Sequence, residues 1–126
     1  MLFRSRSVAF STDGRTLAAT IGVDQLAGER RGFGSVSLWN VKSGMKIGSL
    51  KKYDRYVHKL LFTERGERLV TAGGDGSIRS WSTKSFSEVN KMKGYAPFAI
   101  SRDGKKIAHT GRNATILIQN FEIKKR

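Results

Sequence analysis

The chain has no cysteine, a single proline, and only 10 acidic residues against 24 lysines and arginines in 126 residues. Without cysteine there is neither a disulfide framework nor a thiolate metal site. No run of about 18 apolar residues occurs, which excludes a transmembrane helix. The first residues carry Arg4 and Arg6 but no apolar segment of signal-peptide length. The expected location is therefore cytoplasmic. The shortage of acid leaves a formal charge of +14, enough to attract polyanions or acidic proteins. The basic residues are spread along the whole chain, from Arg4 through Arg30, Lys51, Lys91 and Lys105 to Arg126, so the first reading is a soluble basic surface. Nucleic acid is the alternative partner that the charge allows.

Catalytic chemistry finds little to stand on. His58 and His109 lie far apart in sequence, with no carboxylate at ligand spacing. Asp13 and Asp103 precede glycine, where aspartate bonds its own turn. The run Gly73-Gly74-Asp75-Gly76 lacks the helix start of a phosphate cradle and reads as a hairpin turn. No catalytic residue, metal ligand or cofactor is expected, and the chain reads as a non-enzyme.

What is present is repetition. Phe10-Ser11-Thr12-Asp13-Gly14, Phe62-Thr63-Glu64-Arg65-Gly66 and Ile100-Ser101-Arg102-Asp103-Gly104 are each followed by a short apolar run. Each unit then closes on a second run: Val36-Ser37-Leu38-Trp39-Asn40, Ile78-Arg79-Ser80-Trp81-Ser82 or Ile116-Leu117-Ile118-Gln119-Asn120. Trp39 precedes Trp81 by 42 positions, and Trp81 precedes Gln119 by 38. A unit of this size cannot bury its own apolar face and must stack on a neighbour.

Within each unit the apolar residues alternate, the period of a strand rather than a helix. Val36 and Leu38 point one way, Ser37 and Trp39 the other. Turn signals separate the runs at Asp13-Gly14, Ser43-Gly44, Arg65-Gly66, Gly73–Gly76 and Asp103-Gly104. The spacing predicts strands near 6–10, 16–21, 35–40 and 45–50, then 57–62, 68–72, 77–82 and 86–92, then 96–100, 106–110 and 115–120. Only 121–123 remain for a last strand. The expected fold is all-β: four-stranded antiparallel units over about 6–50, 57–92 and 95–123, the third incomplete, in one segment spanning 1–126. The first unit is longer because residues 22–34 read as an inserted loop. Leu2 and Phe3 offer a scrap of outer strand.

These segments resemble the blades of the WD-repeat family of β-propellers. Ser7-Val8-Ala9-Phe10-Ser11-Thr12-Asp13-Gly14 resembles the innermost strand with its turn, and Thr71-Ala72-Gly73-Gly74-Asp75-Gly76-Ser77-Ile78-Arg79-Ser80-Trp81-Ser82 the second turn with the third strand. The family's Trp-Asp pair is replaced by Trp39-Asn40, Trp81-Ser82 and Gln119-Asn120, and its Gly-His pair by Lys52-Tyr53 and Lys93-Gly94. Of the family's polar network only Asp75 and Trp81 stand as members. The resemblance therefore implies stability from packing of Trp39, Trp81, Phe10 and Phe62.

A propeller ring holds typically about four to eight blades. Three blades imply a homo-oligomer or additional blades to close the ring. The resemblance further implies a non-catalytic scaffold or adaptor that meets a protein partner through loops on one rim. That rim would gather Arg30, Arg31 and Phe33 from the insertion, Lys51, Lys52, Tyr53 and Arg55 from the first link, Lys93 and Tyr95 from the second, and Arg112 and Asn113 from the last turn. The opposite rim would carry Lys42, Lys46, Lys84, Lys105 and Lys106.

Overall fold

A computed structural model describes residues 3–4, 7–23, 33–50, 56–63 and 66–121. Among the described residues twelve strands run in chain order: β1 (Phe3–Arg4), β2 (Val8–Phe10), β3 (Thr16–Val23), β4 (Phe33–Asn40), β5 (Lys46–Ser49), β6 (Val57–Phe62), β7 (Arg68–Gly73), β8 (Ser77–Ser82), β9 (Glu88–Lys93), β10 (Tyr95–Ile100), β11 (Lys106–Thr110) and β12 (Ile116–Asn120). One turn of 3-10 helix (Arg112–Ala114) lies between β11 and β12. Among the described residues no helix is long and apolar enough to cross a membrane.

The strands form three antiparallel sheets. β6-β7-β8-β9 is a four-stranded meander and β10-β11-β12 a three-stranded one. In the first sheet β3, β4 and β5 follow in order, while β1 and β2 both pair with β3. The register repeats between sheets: Leu17 lies opposite Trp39, Leu69 opposite Trp81, and Ile107 opposite Gln119. Equivalent residues thus hold equivalent sheet positions, as the repeats in the sequence require.

Polar side chains stitch the tight turns. After β2, Ser11 Oγ donates to Asp13 Oδ1 at 2.6 Å, and the Arg15 and Thr16 amides donate to Asp13 and Ser11 side chains. After β10 the same bonds form at Ser101, Asp103, Lys105 and Lys106. Between β6 and β7, Thr63 takes over the serine's part and receives the Arg68 amide at 3.2 Å. The glycine of each turn has a positive φ, 71° at Gly14, 67° at Gly66 and 75° at Gly104, a conformation that a side chain disfavours.

Two apolar clusters hold the sheets together. The first joins Ala18, Val36, Leu38 and Leu50 of the first sheet to Val57, Leu60, Phe62, Leu69 and Trp81 of the second. The second joins Val70, Ala72 and Ile78 of the second sheet to Phe98 and Ile107 of the third and to Phe121, which follows β12. The second sheet therefore has a leading face, which packs on the first, and a trailing face, which receives the third; the equivalent faces of the other two sheets are named in the same way. Fully burying a side chain such as Leu69 or Ile78 contributes about 1.5–3 kcal/mol.

Several expectations need correction. Trp39 is only half-buried and Phe10 is 63% exposed, whereas Trp81 and Phe62 are buried. The chemistry is the same; what differs is that no described sheet covers the first sheet's leading face. The inserted loop is shorter than residues 22–34, because Gly22 and Val23 extend β3 and Phe33 and Gly34 extend β4, paired with one another. Phe3 adds no outer strand: β1 lies along β3, on the inner side with β2. The last-strand candidate reduces to Phe121, which is buried outside any strand, while residues 122–123 lie outside the described residues. Pro97 sits at a register shift between Tyr95 and Phe98, where a missing ladder donor costs least.

Candidate interaction rim

Register decides which turns share a rim. β6 begins with Val57 paired to Gly73, the end of β7, so the approach through Tyr56 lies beside the turn between β7 and β8. The Gly74 amide donates to the Tyr56 carbonyl at 2.8 Å, and the Gly94 amide donates to the Gly76 carbonyl at 2.9 Å. The link between β9 and β10 is thereby tied to the same turn. Tyr95, first in β10, pairs with Thr110, last in β11, so the turn around Arg112 emerges at this end too.

The turn from Gly73 to Ser77 organises this edge. Ser77 donates to Asp75 Oδ1 through its amide at 3.0 Å and through its hydroxyl at 2.6 Å. Arg79 Nη2 lies 3.0 Å from Asp75 Oδ2, and its Nε lies 3.2 Å from Glu88 Oε1. Burial by itself raises the Asp75 carboxyl, but the Ser77 hydrogen bonds and the nearby Arg79 and Lys91 charges bring it below the ordinary aspartate value of 3.8. Gly76 takes a φ of 79°, and a Cβ there would stand 2.9 Å from the Tyr95 hydroxyl. The phenol is thus laid directly over the turn, joining the second sheet's rim to the third's.

The expected rim residues divide accordingly. Tyr95 and Lys93 are brought together beside the Gly73–Ser77 turn, both exposed. Arg112 and Asn113 are exposed in the 3-10 turn, where Asn113 adopts φ 57° and ψ 42°, a left-handed conformation that asparagine tolerates. Phe33 opens β4 opposite Val23. Arg30, Arg31, Lys51, Lys52, Tyr53 and Arg55 lie outside the described residues. Sequence reasoning missed Tyr56, whose carbonyl anchors the turn, and the chain of ion pairs from Asp75 through Arg79 to Glu88. The signal for the latter was the pairing of β8 with β9, which brings Arg79 and Glu88 within reach.

The opposite rim carries the Ser-Asp turns together with exposed Lys42, Lys84 and Lys105. Asp13 and Asp103 are held below 3.8 there, first by the hydrogen bonds from Ser11 and Ser101 and then by the Arg15 and Lys105 amides. Both act as turn formers. Among the described residues no group of three or more His, Asp or Glu side chains could hold a metal ion. His109, buried against Gly94, faces the Thr110 carbonyl oxygen through Nδ1 at 3.2 Å and the Gln119 side-chain amide through Nε2 at 2.9 Å. Both ring nitrogens are engaged in the sheet.

Three antiparallel sheets in repeated register, stacked leading face on trailing face around a shared loop rim, define an open set of β-propeller blades. The comparisons agree: the chain is 30% identical over 100 residues to antiviral protein SKI8 of Saccharomyces cerevisiae, a match covering 69% of this chain and 23% of that protein. It is 37% identical over 49 residues to apoptotic protease-activating factor 1 of Mus musculus, covering 39% of this chain and 4% of that protein. The human form is 35% identical over the same length. No family model matches the chain. The chain therefore spans under a quarter of the length of these relatives. They are WD-repeat proteins, and the blades of this chain are similar to theirs.

Proposed function

We propose that the blades, residues 1–126, form one non-catalytic module that binds a protein partner through the rim of Lys93, Tyr95, Arg112 and Asn113, extended by Arg30, Arg31, Phe33, Lys51, Lys52, Tyr53 and Arg55. The observation that carries this reading is Tyr95. Its ring lies over Gly76 and yet remains 48% exposed, a rigid aromatic beside Lys93 at the junction of two blades. Aromatic and arginine side chains on fixed supports are the residues that dominate binding at protein interfaces. The WD-repeat relatives support a role in protein interaction.

The test is a binding titration with a partner recovered by crosslinking and identified by mass spectrometry. Y95A, R112E and the triple change K51E/K52E/R55E should each weaken binding about tenfold or more, roughly 1.4 kcal/mol. K84E on the other rim should leave it unchanged. Equal affinity for all variants would refute the rim.

The net charge of +14 favours a second reading, in which the module contacts the phosphates of RNA or DNA. Binding to a homopolymer RNA that is sub-micromolar at low salt and falls steeply as salt rises would support it. Weak, shallow binding would leave the charge as a solubility feature.

A further inference from the structure

The edge where the second and third blades meet uses its acids internally. Asp75 takes the Ser77 amide and hydroxyl on Oδ1 and Arg79 on Oδ2, and Arg79 reaches Glu88 as well. Lys93, at the end of β9 opposite Ser77, and Arg112, in the turn after β11, are exposed and form no ion pair among the described residues. Tyr95 links the two cations. It follows Lys93 closely in the chain and pairs with Thr110, just before Arg112.

Arg112 is held in place by the turn that it opens. Its carbonyl oxygen accepts the Thr115 amide at 3.3 Å and the Thr115 hydroxyl at 2.7 Å, and the Gly111 amide donates to the Thr115 carbonyl at 2.8 Å. Asn113 and Ala114 both take a φ of 57°, left-handed backbone that alanine disfavours. A turn that keeps such a residue is fixed by its surroundings, so a partner does not have to order it on binding. Tyr95 is fixed too, by its contact over Gly76. The opposite rim differs: its exposed lysines share the edge with Asp13 and Asp103, whose carboxylates are held by hydroxyl and amide donors, whereas Asp75 is neutralised by a guanidinium. An acidic partner therefore meets like charge on that rim and unpaired cations on this one.

We propose that the occupant of this junction is an acidic segment of a partner protein, its Asp or Glu carboxylates received by Lys93 and Arg112 while a neighbouring apolar side chain rests on the Tyr95 ring. The guanidinium fork takes a carboxylate through two parallel hydrogen bonds, and the ammonium takes one as a point charge. Two cations at one blade junction suit a short run of carboxylates; a nucleic acid gains its affinity from many phosphates along a track. This names the kind of partner for the rim proposed above and rests on that reading.

The experiment is fluorescence anisotropy of the full chain with three labelled probes: a short peptide alternating glutamate and leucine, the same peptide with glutamine in place of glutamate, and an oligouridylate of equal length. The glutamate peptide should bind about tenfold or more tightly than the glutamine form, an advantage that shrinks as salt rises. K93E/R112E should remove that advantage, Y95A should weaken both peptides, and K84E on the other rim should change nothing. All four positions are exposed, so each variant should keep the far-ultraviolet circular dichroism of the wild type. Equal affinity for the two peptides, with Y95A still weakening both, would leave the rim standing and overturn the acidic occupant. Loss of binding in K84E but not in K93E/R112E would overturn rim and occupant together. An oligouridylate bound more tightly than the glutamate peptide would overturn the acidic segment in favour of phosphates, and a glutamate peptide that does not bind at all would overturn it outright.

Discussion

Trp81 Nε1 donates to Thr71 Oγ1 at 3.0 Å across the middle of the second blade, in a site that solvent does not reach. The third blade repeats the link with other chemistry, His109 meeting Gln119 at 2.9 Å from the same pair of positions. In the first blade the places belong to Ala19 and Trp39, and alanine offers no acceptor. The diagonal bond between second and third strands is therefore a property of the blade position, and each repeat fills it with what its sequence supplies.

That bond gives the first prediction. T71V keeps the side-chain shape but removes the acceptor beside a buried indole, and should lower stability by about 1–3 kcal/mol. Urea unfolding should show an earlier midpoint with an unchanged slope. An unchanged midpoint would mean that the bond contributes nothing net.

His109 and Gln119 should behave as a unit. H109T and Q119W each break the link, while the double variant installs the pair that the second blade already uses. The double variant should be more stable than the sum of the single effects by at least about 0.5 kcal/mol. Additive losses would show that the two side chains are not energetically coupled.

Gly76 is constrained twice, by a φ of 79° and by the Tyr95 hydroxyl 2.9 Å from where a Cβ would stand. The left-handed backbone alone costs a non-glycine residue about 1–2 kcal/mol. G76A should destabilise by at least that amount, and adding Y95A should recover only the steric part. Thermal unfolding of the single and double variants separates the two contributions; full recovery by Y95A would show that the backbone conformation is not the constraint.

Asp13, Asp75 and Asp103 all have carboxyls lowered below 3.8 in the folded chain. A lowered folded value means that the unfolded chain binds more protons in the interval between the two. Their stabilisation is fully present above pH 3.8 and is lost as pH falls through the lower folded values. The urea midpoint should therefore hold steady above that point and drop in more acid solution. D75N should weaken the drop, because its partners Ser77 and Arg79 no longer meet a charge. An acid drop identical to that of the wild type would assign the effect elsewhere.

Much of the architecture was legible in the repeats. Alternation placed Val36 with Leu38 and Ile78 with Ser80 on one face, and the paired strands have that arrangement. Ser-x-Asp-Gly predicted tight turns because a short side chain bonding its own backbone is a local event, decided within five residues. The strands near 57–62, 77–82 and 106–110 were readable for the same reason. The rim was legible only in outline. That Tyr95 would lie on Gly76 depends on how one blade rests against the next, and no local pattern reports it.

Trp39 and Trp81 mark the boundary between the two kinds of information. The sequence by itself determined that both lie near the end of the third strand of a blade, Trp39 on the face opposite Val36 and Leu38 and Trp81 on the face opposite Ile78 and Ser80, since alternation and turn spacing act within a few residues. Only the tertiary structure decided their fates. Trp81 is sealed by the first blade, while Trp39 is left half in water, because burial depends on what stands opposite a face.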